Sequence, residues 1–177
     1  MEQTLTHILL EFLYKRALRP PRFDTRHERW VLEHSNVFRW AMSLFCLFFM
    51  ALAVASMLVK PPVTFAALIF CGFTVLGLFA VAEAFGTRVY FSDASLEQTS
   101  PWHFGRRILW EDVREVRFSP SNRWFIVYGR TTKIRVSFYL VGIRAVGLQI
   151  CRMVAPEKRS RANAGLLQLG ITETAQS

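Results

Sequence analysis

Catalytic and metal-binding signatures are what this chain most lacks. It has no G-x-S-x-G, no G-x-x-x-x-G-K-[ST], no G-x-G-x-x-G and no H-E-x-x-H, the spacings that build a nucleophile elbow, a phosphate cradle, a dinucleotide site or a zinc site. Cysteine is sparse. Cys46, Cys71 and Cys151 are scattered and show no C-x-x-C spacing, so neither a disulfide framework nor a thiolate metal site is expected, and a reducing compartment fits the soluble part. His27 and His34 stand seven apart and could share a helix face, but a pair without a third ligand is the pattern of surface residues. Glu111-Asp112 is an acidic doublet better suited to a turn than to paired acid–base work. The reading is therefore a protein that is not an enzyme, with no cofactor and no metal.

Charge is also missing, but only locally. Lys60 and Glu83 are the sole Lys, Arg, Asp or Glu residues between Trp40 and Gly86. Elsewhere basic residues dominate: seven Lys or Arg against five acids in residues 1–40, and fourteen against seven in 87–177, giving a net charge of +9. The uncharged stretch holds two apolar runs, Ala41–Val59 and Val63–Ala82, separated by Lys60-Pro61-Pro62. Each has about the twenty residues that a helix needs to cross a hydrocarbon core of roughly 30 Å. A helix also satisfies its own backbone hydrogen bonds, as lipid demands. Pro62 can occupy the first turn of the second helix. The expectation is a transmembrane hairpin over 40–86, with helices at about 40–59 and 63–84. A signal peptide is disfavoured, because nearly forty residues precede the first run and a second run follows at once.

The basic flanks set the expected orientation. Seven Lys or Arg precede the first run, one lies between the runs and most follow the second. The positive-inside rule then places both termini in the cytoplasm of a multi-pass inner (plasma) membrane protein. Arg39 and Glu83 fall at the same interface and form a candidate ion pair. The alternative reading of Glu83, an intramembrane carboxylate for ion handling, is weakened by its place at a helix end. Ala51, Ala55, Gly72 and Gly77 are small enough for close helix contact, and a homo-oligomer is compatible with the sequence, although no G-x-x-x-G is present.

The arm before the hairpin, residues 1–39, carries Leu5, Ile8, Leu9, Phe12 and Leu13 at helical spacing, followed by Lys15, Arg16, Arg19 and Pro20-Pro21. This predicts an amphipathic helix that lies either on the membrane interface or on the soluble domain.

After Gly86 the pattern changes to short alternating runs. Thr87–Ser92, Ser95–Ser100, Arg106–Trp110, Val113–Phe118, Trp124–Tyr128 and Lys133–Phe138 read as strands separated by turn residues. Pro101–Gly105 reads as a loop. Val141–Val154 has helical spacing through Ile143, Val146, Gly147, Ile150, Met153 and Val154, and Pro156 marks its end. Residues 156–177 are polar and are expected to form a flexible tail.

The fold class is thus an α+β membrane protein: a two-helix transmembrane hairpin followed by a small antiparallel β domain, 87–155, capped by a C-terminal helix. The strand Val89-Tyr90-Phe91, the run Ile108-Leu109-Trp110-Glu111-Asp112-Val113 with Val116, and the strand Lys133-Ile134-Arg135-Val136 together resemble the bacterial pleckstrin-homology-like (PH-like) domains that are attached to one or two membrane helices. The resemblance implies a bent sheet closed at one end by the helix. It says little about the ligand, since these are core positions. In lipid-binding eukaryotic PH domains, basic residues around the loop after the first strand hold the phosphoinositide. Here that loop, Ser92-Asp93-Ala94-Ser95, is short and acidic, so inositol-phosphate recognition is not expected.

Arg106, Arg107, Lys133 and Arg135 are the candidate membrane-surface residues. Basic groups close to an anionic leaflet contribute about 1 kcal/mol each, and the competing reading is a solvated face that reflects topology alone. No recognised nucleic-acid-binding fold frames these charges, so no nucleic acid is expected. The expected partners are the lipid bilayer, with anionic lipid headgroups, and an unidentified protein. The expected function is a non-catalytic interaction or scaffold protein that presents a PH-like domain at the cytoplasmic leaflet. The alternative is a small accessory subunit of a transport or envelope-biogenesis complex.

Overall fold

A computed structural model describes residues 18–59 and 63–171. The predicted amphipathic helix of the N-terminal arm lies outside the described residues, apart from its last position. The chain divides into two compact units, one formed by residues 36–87 and the other by the flanking segments.

The first unit is a pair of helices, α1 (Asn36–Leu58) and α2 (Thr64–Gly86). Each extends a few residues beyond its uncharged run. At 1.5 Å per residue, twenty-three residues reach about 35 Å, and both helices are long and apolar enough to cross a membrane. Small residues line their contact: Cys46, Ala53, Ala67 and Gly77 are buried. A Cβ placed on Gly77 would come within 3.1 Å of the Cys46 backbone. Phe49 stacks on Phe73 with centroids 4.9 Å apart. Ser43, Ser56 and Thr74 each donate to the carbonyl four residues back, so these three hydroxyls are satisfied within their own helices.

The second unit contains two antiparallel sheets. The first has five strands in sequential order: β1 (Arg22–Asp24), β2 (Arg29–Glu33), β3 (Arg88–Phe91), β4 (Ser95–Ser100) and β5 (His103–Leu109). The second has three: β6 (Glu115–Ser119), β7 (Trp124–Tyr128) and β8 (Lys133–Ser137). A short 3-10 turn, Trp110–Asp112, joins the sheets, which accounts for the acidic doublet. Helix α3 (Ile143–Met153) follows, then α4 (Pro156–Arg159) and α5 (Asn163–Gln168). One apolar core runs through both sheets and the helices. It includes Leu32, Val89, Leu96, Ile108, Val116, Phe125, Val136, Ile143 and Ile150, with Phe118, Phe125 and Phe138 in mutual ring contact.

Two expectations need correction. The arm is not separate from the β domain. Its strand β2 pairs with β3, matching Val31 with Tyr90 and Glu33 with Arg88, so strands from either side of the helix pair share a sheet. His27 and His34 therefore do not share a helix face: His27 sits in the β1–β2 turn, and His34 is buried and bridges to Leu140. Residues 156–171 are not a flexible tail either. Ala162, Leu166, Leu169 and Ile171 are buried in the core, and Gly165 lets the segment approach the Phe118 ring, which an added Cβ would meet at 2.7 Å. Burying this apolar row offsets the cost of ordering the segment.

Candidate functional site

Strand alternation decides which side chains of the second unit reach its surface. On the first sheet, Val31, Tyr90, Glu97 and Arg107 form one row across β2 to β5, on the face opposite Leu32, Val89 and Ile108. Glu97 joins two arginines: Arg29 Nη1 lies 2.7 Å from one carboxylate oxygen, and Arg107 Nε lies 3.2 Å from the other. The Arg29 guanidinium also sits over the Tyr90 ring at 4.2 Å. An open concavity of about 430 Å³ lies on this face, lined by Arg22, Asp24, Arg26, Glu33, Arg88 and Tyr90 among others. The Asp24 carboxyl is held below its ordinary pKa, chiefly by its 2.8 Å hydrogen bond to the His27 ring.

The second sheet presents Trp124, Ile126 and Tyr128 along β7, flanked by Arg117 on β6 and by Lys133 and Arg135 on β8. Arg135 stacks on Trp124 and Arg117 on Tyr128. Arg117 also donates to Glu115 at 2.6 Å, which lowers the Glu115 pKa and raises that of Arg117. Arg161 reaches the other Glu115 oxygen at 3.3 Å.

The four basic candidates accordingly fall into two settings. Arg106, Lys133 and Arg135 are neighbours: Arg106 Nη1 donates to the Lys133 carbonyl, and the Gln98 side-chain oxygen accepts from the Arg135 backbone N–H. Arg107 belongs to the Glu97 row instead. The signal available in the sequence was strand parity, because adjacent residues point to opposite faces. Parity does not reveal the partners Arg29, Trp124 and Gln98, which arrive from distant segments. In the helix pair, Arg39 Nε donates to the Ala84 carbonyl at 3.2 Å and its guanidinium lies 5.5 Å from the Phe85 ring. Arg39 and the residue next to Glu83 thus meet at one end of the hairpin.

The acidic turn after β3 is tied to helix α3. Asp93 accepts from Gln149 at 3.1 Å and approaches Arg152 at 3.5 Å. The Ser92 carbonyl accepts from the indole N–H of buried Trp110 at 2.8 Å. Among the described residues, no three His, Cys, Asp or Glu side chains gather as a metal site would require. What the surfaces offer chemically is cationic and aromatic contact. No protein-family model, no curated protein and no solved structure matches the chain.

Proposed function

We propose that this chain is a membrane-anchored, non-catalytic interaction protein, with helices α1 and α2 crossing the bacterial inner membrane as a hairpin and a PH-like domain held at the cytoplasmic leaflet. The pairing of β2 with β3 carries the reading. Two strands of one sheet lie on one side of any bilayer, so the chain that leaves after Glu33 and returns before Arg88 crosses twice or not at all. The apolar exterior of the helices favours crossing. Phe48, Phe65, Leu68 and Leu76 are all more than half exposed, an arrangement that water penalises and lipid does not. The basic flanks favour the cytoplasmic side. Support for the PH-like arrangement comes from two successive antiparallel sheets followed by a helix that packs on their core. Basic and aromatic groups on both outer faces suit an anionic headgroup layer or an acidic protein surface.

Reporter fusions test this reading. A reporter at residue 36, one within residues 60–62 and one after residue 171 are expected to read cytoplasmic, periplasmic and cytoplasmic. A periplasmic C-terminal reporter would overturn the orientation. Purification in mild detergent, followed by mass spectrometry, identifies the protein partner. A stoichiometric complex with a larger membrane transporter would replace the scaffold reading with that of an accessory subunit.

A further inference from the structure

The strands of the first sheet have two distinct ends. At one end the register aligns Glu33, Arg88 and Thr99, followed by the pair Ser100 and His103. Here β2 passes the chain to α1, and α2 returns it to β3. The turn that links β4 to β5, Pro101-Trp102, projects from this same end. Trp102 is 48% exposed, and its backbone N–H donates to the Ser100 hydroxyl at 3.3 Å, which shapes the turn. The opposite end, where Phe91 aligns with Leu96, carries the polar turn Ser92-Asp93-Ala94.

We infer that the Pro101-Trp102 turn is a further attachment of the domain to the bilayer, with the Trp102 indole seated at the headgroup level of the leaflet from which α1 and α2 enter. The inference rests on the proposed crossing of the bilayer by those helices. Gly86 closes α2, and Thr87 alone separates it from Arg88, so the row Glu33–Arg88–Thr99 begins about one residue from the interface. Trp102 is three residues beyond Thr99 on the same side. A large amphipathic ring exposed at that level loses little by leaving water, because indole combines an apolar body with an N–H donor and partitions to the headgroup region. Arg88 is exposed in the same row, so a cation accompanies the ring. The Phe23–Trp30 pair is also exposed, but its register row lies nearer the other end of the sheet, with Phe91 and Leu96.

The test compares the two ends of this sheet in the full-length protein. Cys46 and Cys151 are buried, so replacing exposed Cys71 with Ala leaves a chain in which Trp102→Cys or Ala94→Cys adds the one exposed thiol among the described residues. Each variant is labelled with an environment-sensitive fluorophore and reconstituted into vesicles of phosphatidylcholine and phosphatidylglycerol. The two positions are separated by at least the length of β3, roughly 10 Å at 3.3 Å per residue. The expected result is a blue-shifted emission at position 102 that is quenched by a lipid carrying its quencher near the headgroup, and an aqueous, unquenched emission at position 94. Equal signals at the two positions, or an aqueous signal at 102, would overturn the inference while leaving the transmembrane hairpin intact. Release of the unlabelled chain from the vesicles by alkaline carbonate would remove the hairpin reading itself, and the inference with it. In the unlabelled chain, Trp102→Phe should reduce tryptophan quenching by the same lipid.

Discussion

The two units solve opposite packing problems with similar apolar residues. In the β unit, aromatic and branched side chains face inward, and each of β6, β7 and β8 alternates buried with exposed or half-buried positions. In the helix pair the buried positions are small, namely Cys46, Ala53, Ala67, Gly77 and Ala84, while phenylalanines and leucines face outward. The difference matches the solvents proposed for the two units, water around the β unit and lipid around the helix pair. Water drives large apolar groups together. Lipid gives them no reason to leave the surface, so helix contact there depends on close backbone approach between small residues.

The most severe way to break the comparison is to remove one side of it. Replacing Ser35–Gly86 with Asn-Gly joins His34 to Thr87 through a two-residue turn suited to an antiparallel pair. This chain should partition into the aqueous phase, remain folded and give a β-rich circular dichroism spectrum. Recovery only in the membrane pellet, or as an unfolded chain, would mean that the β unit does not stand on its own.

A matched pair of substitutions sharpens the contrast. Phe125 is fully buried, so Phe125→Ala should cost about 3–5 kcal/mol in chemical denaturation, as large core truncations do. Phe48 is 58% exposed, and Phe48→Ala should stay within about 0.5 kcal/mol. Comparable losses at the two positions would place Phe48 in an interface.

A smaller effect separates the two faces of α2. Gly77→Val forces a side chain against the Cys46 backbone, whereas Gly72 has nothing within 4 Å of an added Cβ. Overpacking of this kind costs typically 1–3 kcal/mol. Thermal unfolding of the full chain in detergent should therefore show a loss for Gly77→Val and none for Gly72→Val.

The mildest test concerns a charge on the β unit. Hydrogen bonding from Arg117 lowers the folded-state pKa of Glu115. Its ionised form therefore contributes stability that is fully present above the unfolded-state pKa and is lost as pH falls through the lower folded value. Glu115→Gln should reduce the melting temperature slightly at neutral pH and match the parent at acid pH, below both values. A difference that persists in acid would assign the effect to packing.

Much of this organisation was legible in the sequence, and what was missed shares a cause. The helices were readable from uninterrupted apolar length, and β3 and β8 from alternation between turn residues. Trp110 was readable as part of a core-like run and is buried. Strands β1 and β2 were not readable. They are three and five residues long, rich in charge, and β2 is completed by β3 from beyond both helices, a pairing to which local periodicity is blind. The closing segment was concealed by Pro156 and its basic residues, although Ala162, Leu166, Leu169 and Ile171 form a readable apolar row. Of the basic surface residues, exposure at Lys133 and Arg135 followed from alternation on β8, whereas the Glu97 partnership that claims Arg107 depended on sheet register.

The sharing of one sheet by β2 and β3 also orders events as the chain is made. The ribosome delivers β1 and β2 first, and β2 then has one edge without its partner until the two helices have been synthesised and β3 follows. A gap of this length would ordinarily make strand pairing slow, because closing a long flexible loop costs entropy before any contact compensates for it. The helix pair removes most of that cost. Once α1 and α2 associate, the bond from Arg39 to the Ala84 carbonyl brings the start of one helix to the end of the other, and the remaining closure involves only a few residues on each side. Helix association thus lowers the entropic cost of closing the sheet, and a substitution such as Gly77→Val should delay the folding of the β unit.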